Sequence, residues 1–157
     1  MISDSGSFLQ VIEDKLSQYV TQPSAYRVCV LYGTAKSHKS TVAVRMSQKL
    51  EGKYKDLLKD ELAQVSPRIG LYRPVDFKED ITKWAKASSP LLILDEIEPL
   101  LDTWTREEQK DLFKLLSRCR TDSVVLLVTR LDIPYEEMLG QERVFRLGQP
   151  KEAQYVE

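Results

Sequence analysis

The residues best suited to chemistry lie in one short run from Gly33 to Ser40, between an apolar stretch and a helical pattern. Its sequence, GTAKSHKS, matches the phosphate-loop pattern G-x-x-x-x-G-K-S/T at every defined position except His38. In such a loop the backbone amides surround phosphate oxygens, and the positive end of the following helix favours the anion. Lys39 supplies a point charge and Ser40 a hydroxyl for Mg²⁺. The candidate nucleotide-binding residues are Gly33, Thr34, Ala35, Lys36, Ser37, His38, Lys39, Ser40 and Thr41.

His38 stands where the pattern has a glycine. Glycine gives the backbone freedom and lets it approach phosphate, whereas a histidine side chain must turn away. Histidine is nevertheless enriched at positive φ, and a protonated imidazole favours phosphate. Two alternatives therefore stay open, a loop that binds triphosphate and a loop that keeps its shape without binding it.

A second element, LLILDEIE, is a strongly apolar run that ends in acids. It resembles the Walker B segment, in which a carboxylate at the end of a strand holds Mg²⁺ and the next carboxylate polarises the attacking water. Asp95 would hold the metal together with Ser40, and Glu96 would act on water. The alternative is a strand that simply runs into an acidic turn.

Three further polar residues are candidates for catalysis. Thr129 ends the next apolar run, where ATPases with an additional strand often place a sensor of the γ-phosphate. Arg118 and Arg120 end the preceding helical pattern and would form an arginine finger that reaches a neighbouring subunit's nucleotide. A strand-end threonine and arginines that cap a helix dipole explain the same residues without catalysis.

Hydrophobic patterns predict the elements that position these residues. Helices are expected over residues 8–20, 39–50, 54–62, 76–87 and 105–116, with Asp76 as the N-cap of the fourth. Strands are expected over residues 26–32, 68–72, 91–94, 124–128 and 144–147. This alternation predicts a three-layer α/β/α sandwich with a mostly parallel five-stranded sheet, in which ligands bind beyond the carboxyl ends of the strands. Residues 1–24 would form an amphipathic helix packed on a P-loop domain of residues 25–157.

Composition excludes several classes of function. The 157 residues fit one domain, and 23 basic against 24 acidic residues give a net charge of −1. Such a balance supplies no field that attracts nucleic acid, so DNA contact would need either a local basic patch, such as Arg118 with Arg120, or a partner, and is expected through a complex. The sequence holds neither a secretory leader nor a run long enough for a membrane span, so we expect a cytoplasmic protein without membrane contact.

The nucleotide is expected to be ATP, although one feature suggests GTP. Residues 129–132, TRLD, faintly resemble the guanine-reading NKxD element of GTPases. A GTPase would place DxxG where this chain has DEIE, however, and residues 68–87 resemble the extra unit of the additional-strand ATPases.

With both motifs placed, residues 26–147 resemble an AAA+ or RecA-like ATPase core, and because ten residues, 148–157, follow it, we expect no helical lid. The leading helix, LLILDEIE and VVLLVTRLD together resemble the BrxF family of small P-loop proteins from bacterial type 3 BREX phage-defence systems. The resemblance implies ATP and Mg²⁺ as ligands, other defence proteins as partners, and a homo-oligomer or hetero-complex on which hydrolysis depends. The alternative is a pseudo-ATPase scaffold that keeps the fold without hydrolysing nucleotide.

Overall fold

The computed structural model of the chain describes residues 2–21, 27–34, 39–60, 71–86 and 89–147. Its strands are β1 Val28–Gly33, β2 Lys53–Asp56, β3 Leu91–Asp95, β4 Val124–Thr129 and β5 Val144–Leu147. Its helices are α1 Ile2–Thr21, α2 Lys39–Lys49, α3 Leu57–Asp60, α4 Pro74–Trp84, α5 Glu98–Leu101, α6 Arg106–Ser117 and α7 Tyr135–Leu139, followed by a 3₁₀ turn at Gln141–Arg143.

The strands form one sheet in the order β2-β3-β4-β1-β5, and its four pairings are all parallel. β4 lies between the strand that leads into the phosphate loop and the strand that ends in the acids. This strand order is the one expected for the additional-strand type of sheet. The predicted fold class, a three-layer α/β/α sandwich around a five-stranded sheet, is therefore confirmed.

Two apolar clusters cover the two faces of the sheet. One face packs against α1 and α2, where Ile12 and Leu16 of α1 are fully buried beside Leu31 and Met46. The other face packs against α4 to α7 and holds most of the buried aromatic side chains. Because β1, β3 and β4 are buried along their whole length, their sequences are continuously apolar rather than alternating.

The edge strand β2 corrects one prediction. A helix was expected over residues 54–62, but residues 53–56 are extended and pair with β3. Residues 57–60 are helical, and residues 61 and 62 lie outside the described residues. Gly52 permits this pairing because a Cβ there would lie 3.0 Å from both the Cβ and the carbonyl oxygen of Leu91. A short strand rich in lysine is typical of a sheet edge, where few apolar residues are needed.

The strand predicted over residues 68–72 is not present in its described part, residues 71 and 72. Residues 68–70 lie outside the described residues, Leu71 lies in a turn, and Tyr72 belongs to no strand or helix. In the described part of residues 68–87 the chain forms α4 and no strand, and the strand that lies between β1 and β3 is β4.

Helix boundaries follow local capping chemistry. α6 begins within one residue of its predicted start, with the Thr105 hydroxyl accepting the Glu108 amide and the Glu108 carboxylate accepting the Thr105 amide. The prediction of Asp76 as an N-cap is wrong, because α4 begins earlier, at Pro74, whose fixed φ suits a first helical turn. The Asp76 carboxylate instead accepts the backbone amide of Arg73 at 2.8 Å.

Within the described residues, no helix combines the length and the hydropathy that crossing a bilayer requires.

Gly52→Ala should destabilise the protein by about 1–3 kcal/mol, because the added methyl group must push β2 away from the backbone of β3. Urea unfolding measures the change. Lys53→Ala, at an exposed position of the same strand, is the control and should change stability little. Equal stability of Gly52→Ala and wild type would contradict the observed docking of β2.

Candidate functional site

The phosphate-loop segment lies between β1, which is buried to its last residue Gly33, and α2, which begins at Lys39. The predictions for Ala35, Lys36, Ser37 and His38 concern positions outside the described residues. Thr34 directly precedes these four positions and Lys39 directly follows them, and the Lys39 ammonium donates to the Thr34 carbonyl at 3.5 Å. Thr41 lies exposed in the first turn of α2.

The two sequence motifs meet at Asp95. The Ser40 hydroxyl, in the first turn of α2, donates to Asp95 Oδ2 at 2.7 Å. Along β3, Leu91 and Ile93 pack in the cluster under α1 and α2, and Asp95 continues that alternation. The strand therefore delivers the carboxylate to the start of α2, as the spacing predicts.

Asp95 is a buried carboxylate, only 2% exposed, with three donors. Besides Ser40, the Tyr54 hydroxyl donates to Oδ2 at 2.5 Å and the Glu96 amide donates to Oδ1 at 2.8 Å. A buried charge is tolerated when such bonds replace its water shell. Burial, then the Asp95 hydrogen bond and the nearby carboxylates, raise the pKa of Tyr54, so its hydroxyl stays a donor.

Tyr54 is a functional candidate that sequence reasoning missed, since its segment was expected to be helical. The available signal was the alternation of Lys53, Tyr54, Lys55 and Asp56 directly after a glycine. In an edge strand this alternation directs the tyrosine and the lysines to opposite faces. The tyrosine packs toward α2, and the Lys55 ammonium lies over the Trp84 ring on the other face.

Glu96 follows β3 with a φ of 58°, a left-handed conformation that is uncommon for a residue with a side chain. Partial burial raises the pKa of its carboxyl, and repulsion from Asp95, Glu98 and Asp56 raises it further, while Arg130 opposes the shift. Acidic groups thus crowd the end of β3, where added positive charge would be stabilising.

Glu98, at the start of α5, is a second buried carboxylate that sequence reasoning did not single out. It is 4% exposed, and its Oε2 accepts the backbone amide of Arg130 at 2.6 Å. This bond ties the segment after β3 to the segment after β4. The following Pro99, typical of a first helical turn, was the signal that Glu98 begins a helix.

Thr129 ends β4 on the other face of the sheet from Asp95, because Val125 and Leu127 of the same parity pack against α4 to α7. It is fully buried, and its hydroxyl accepts the Leu131 amide at 3.0 Å. The structure thus places Thr129 at the carboxyl end of its strand, as predicted, but does not bring it into contact with the Ser40–Asp95 pair. Its role as a sensor stays a prediction.

Arg118 and Arg120 lie near the amino-terminal ends of the strands, opposite the ends that carry Asp95 and Thr129. They follow α6 and precede Ser123, whose amide and hydroxyl both donate to the Ala85 carbonyl just before β4 begins. β4 then runs the depth of the sheet before it reaches Thr129, about 3.3 Å for each residue. The structure does not bring these arginines to the candidate site of their own chain, and their action on a neighbouring subunit stays a prediction.

The TRLD element has a structural role. Asp132 Oδ1 accepts from Arg146 of β5 at 3.3 Å, and the same guanidinium binds Glu136 at 2.5 and 2.8 Å. It also lies 5.0 Å from the centre of the Tyr32 ring. Asp132 takes part in this network, so its contact with Arg146 accounts for an aspartate at this position without guanine recognition.

The donor set fits Mg²⁺. A serine hydroxyl and a carboxylate are hard oxygen ligands, and Mg²⁺ at phosphate sites takes one or two carboxylates with the remaining positions filled by water and phosphate. Among the described residues no group of three or more His, Cys, Asp or Glu side chains could hold a metal by itself. Ser40 and Asp95 are therefore suited to a metal that arrives with phosphates rather than to a metal caged by protein.

Comparisons with known proteins add little. No protein-family model matches the chain, and no curated protein matches it. One solved structure with a similar shape is the C. elegans protein PCH-2, with a TM-score of 0.47 and 15% sequence identity. The alignment covers 90% of this chain and 42% of that one, so this chain spans less than half the length of PCH-2. Similarity at this level establishes neither family nor activity.

Glu98→Ala should lower the free energy of unfolding by about 1–3 kcal/mol, because it leaves the Arg130 amide without its acceptor. Glu98→Gln keeps an oxygen acceptor and should cost less. Glu107→Ala, at an exposed position of α6, is the control. Urea unfolding curves that coincide for wild type and Glu98→Ala would contradict a structural role for this bond.

Proposed function

We propose that this chain binds ATP with Mg²⁺ at the carboxyl ends of its parallel strands. We further propose that it hydrolyses ATP when assembled with a partner or with further copies of itself. The observation that carries the proposal is the 2.7 Å hydrogen bond between the Ser40 hydroxyl and Asp95. A phosphate-loop serine and a Walker B carboxylate must meet to serve one metal, and they are 55 residues apart in the chain.

Electrostatics at the start of α2 supports an anionic ligand. The first turns of α4 and α6 carry acids that compensate the helix dipole, whereas α2 has no acid in its first turn and begins with Lys39. The loop amides, the Lys39 ammonium and the positive end of α2 would together hold the phosphates.

The acids at the end of β3 would divide the remaining work. Ser40 and Asp95 would hold Mg²⁺, and the positive charge of the metal would offset the negative charge of the phosphates. Glu96 would orient and polarise the attacking water, and its raised pKa, caused first by burial, suits a group that accepts a proton.

A role in phage defence rests on sequence resemblance. LLILDEIE, VVLLVTRLD and the leading helix resemble the BrxF family, and we propose accordingly that the chain is a cytoplasmic component of a multiprotein BREX system. Contact with DNA would come through that complex, because the chain's net charge is −1. Arg118 and Arg120 would serve the site of a neighbouring subunit.

The second candidate is a pseudo-ATPase scaffold. It is favoured by His38 in place of the loop glycine and by the three protein donors that already satisfy Asp95. In this case the fold would present a surface to partners, and nucleotide would bind weakly or not at all.

Nucleotide binding is tested first by thermal unfolding with ATP and Mg²⁺. A ligand at about a hundred times its Kd adds about 2.7 kcal/mol to the stability of the folded state, so wild type should melt at a higher temperature with ATP than without. Lys39→Ala should lose that shift while keeping its melting temperature without ligand.

Lys49→Ala is the matched control, since Lys49 lies at the far end of α2 and pairs with the exposed surface of α1. Calorimetry with ATP, ADP and GTP ranks the nucleotides for wild type and for His38→Gly. Binding by His38→Gly alone would support the scaffold, and an ATP shift retained in Lys39→Ala would contradict the proposed site.

Hydrolysis is tested by Glu96→Gln. The amide cannot accept the proton, so phosphate release should fall by about 10²–10⁴-fold while ATP binding is retained. The assay follows phosphate release by the full chain, alone and in its assembled form. Equal rates in wild type and Glu96→Gln would exclude Glu96 as the base.

A further inference from the structure

The hydroxyl of Tyr54 occupies a position on Asp95 that a metal site would use. It donates to Oδ2 at 2.5 Å, and the Ser40 hydroxyl donates to the same oxygen at 2.7 Å. Each carboxylate oxygen has about two lone-pair sites, so these donors fill the capacity of Oδ2. The other oxygen, Oδ1, accepts the Glu96 amide.

The three donors differ in what they can do when a cation arrives. The Ser40 hydroxyl is itself an oxygen ligand, and the Glu96 amide belongs to the backbone that follows β3. The Tyr54 hydroxyl, by contrast, uses its hydrogen to occupy an electron pair of Oδ2 that a cation would otherwise bind. Of the three, Tyr54 is the donor whose bond to Oδ2 competes with a metal, or with a metal-bound water, for that oxygen.

We propose that Tyr54 is a competitor for Asp95, which holds Oδ2 while the site has no metal and releases it when a divalent cation binds with nucleotide. This inference rests on the proposed function, because it sets the cation affinity of that same site. Tyr54 is well placed for this role, since it lies half-buried on the edge strand β2 and its ring packs against the cluster under α2. Among the described residues, β2 pairs with β3 alone and therefore lies at the edge of the sheet.

Tyr54→Phe removes the competing bond and keeps the ring. Hydrogen bonds to carboxylates are among the stronger ones, and in wild type this bond must break before the cation binds. Its removal should therefore lower the Mg²⁺ concentration that gives half-maximal ATP binding about tenfold or more. The metal-free variant should also melt at a lower temperature than wild type, because a buried carboxylate has lost one of its donors. ATP binding in the presence of a chelator should not change.

The matched control is Tyr72→Phe. The Tyr72 hydroxyl also donates to an aspartate, Asp80, but on α4 and away from Ser40 and Asp95. It should lose stability without any change in the dependence of ATP binding on Mg²⁺. Calorimetry of ATP binding to the full chain at a series of Mg²⁺ concentrations gives the readout for both variants.

The outcomes separate this inference from the proposed function. If wild type binds ATP with Mg²⁺ and Tyr54→Phe needs as much Mg²⁺ or more, the competitor role is overturned although the proposed function stands. If wild type binds no ATP, the proposed function fails, and titration with Mn²⁺ alone, followed by the paramagnetic resonance of free Mn²⁺, decides the inference. Tighter Mn²⁺ binding by Tyr54→Phe than by wild type then supports it, and equal binding overturns it.

Should Tyr54→Phe fail to fold, the wild-type protein still provides a test. Release of a phenol from a carboxylate changes the ultraviolet absorption of tyrosine, so ATP with Mg²⁺ should produce a tyrosine difference spectrum in wild type and in Tyr72→Phe. Absence of that signal when nucleotide is bound overturns the inference.

Discussion

A single buried carboxylate, that of Asp95, is the constraint on which the candidate site depends. A carboxylate with 2% exposure is stable only when its lost water is replaced, and three segments of the chain supply the donors. Ser40 donates from α2, Tyr54 from β2, and Glu96 from the backbone after β3. The need to satisfy one charge therefore fixes a helix, an edge strand and a loop relative to one another.

Glu98, three residues after Asp95, is a second buried carboxylate that links two segments of the chain. It is nearly as buried as Asp95, and it accepts the amide of Arg130 after β4. Glu96 lies between these two anchored carboxylates in a left-handed conformation, which costs of order 1–3 kcal/mol and persists when its surroundings determine it. The residues on both sides of Glu96 are thus held by bonds to α2, to β2 and to the segment after β4, which orients the residue proposed to act on water.

Much of this organisation could be predicted from the sequence, because the central strands are buried on both faces and are continuously apolar. The meeting of Ser40 with Asp95 followed from motif spacing and from the rule that parallel strands present their carboxyl ends at one edge. The edge strand β2 could not be predicted in the same way. Its residues are mostly polar, and its extended form depends on pairing with β3 and on the close approach that Gly52 allows. Tyr54 was missed for that reason. The orientation of Thr129 away from Asp95 depends on the residue parity of β4, which a strand-end motif does not specify.

The most direct test of the account is a crystal structure of the full chain with Mn²⁺ and a non-hydrolysable ATP analogue, using the anomalous scattering of manganese to locate the metal. The account predicts an anomalous peak beside Ser40 and Asp95, in contact with the phosphates of an analogue whose chain of phosphates ends at the start of α2. An analogue bound elsewhere on the surface, or one at the start of α2 with no manganese beside Ser40 and Asp95, would contradict it.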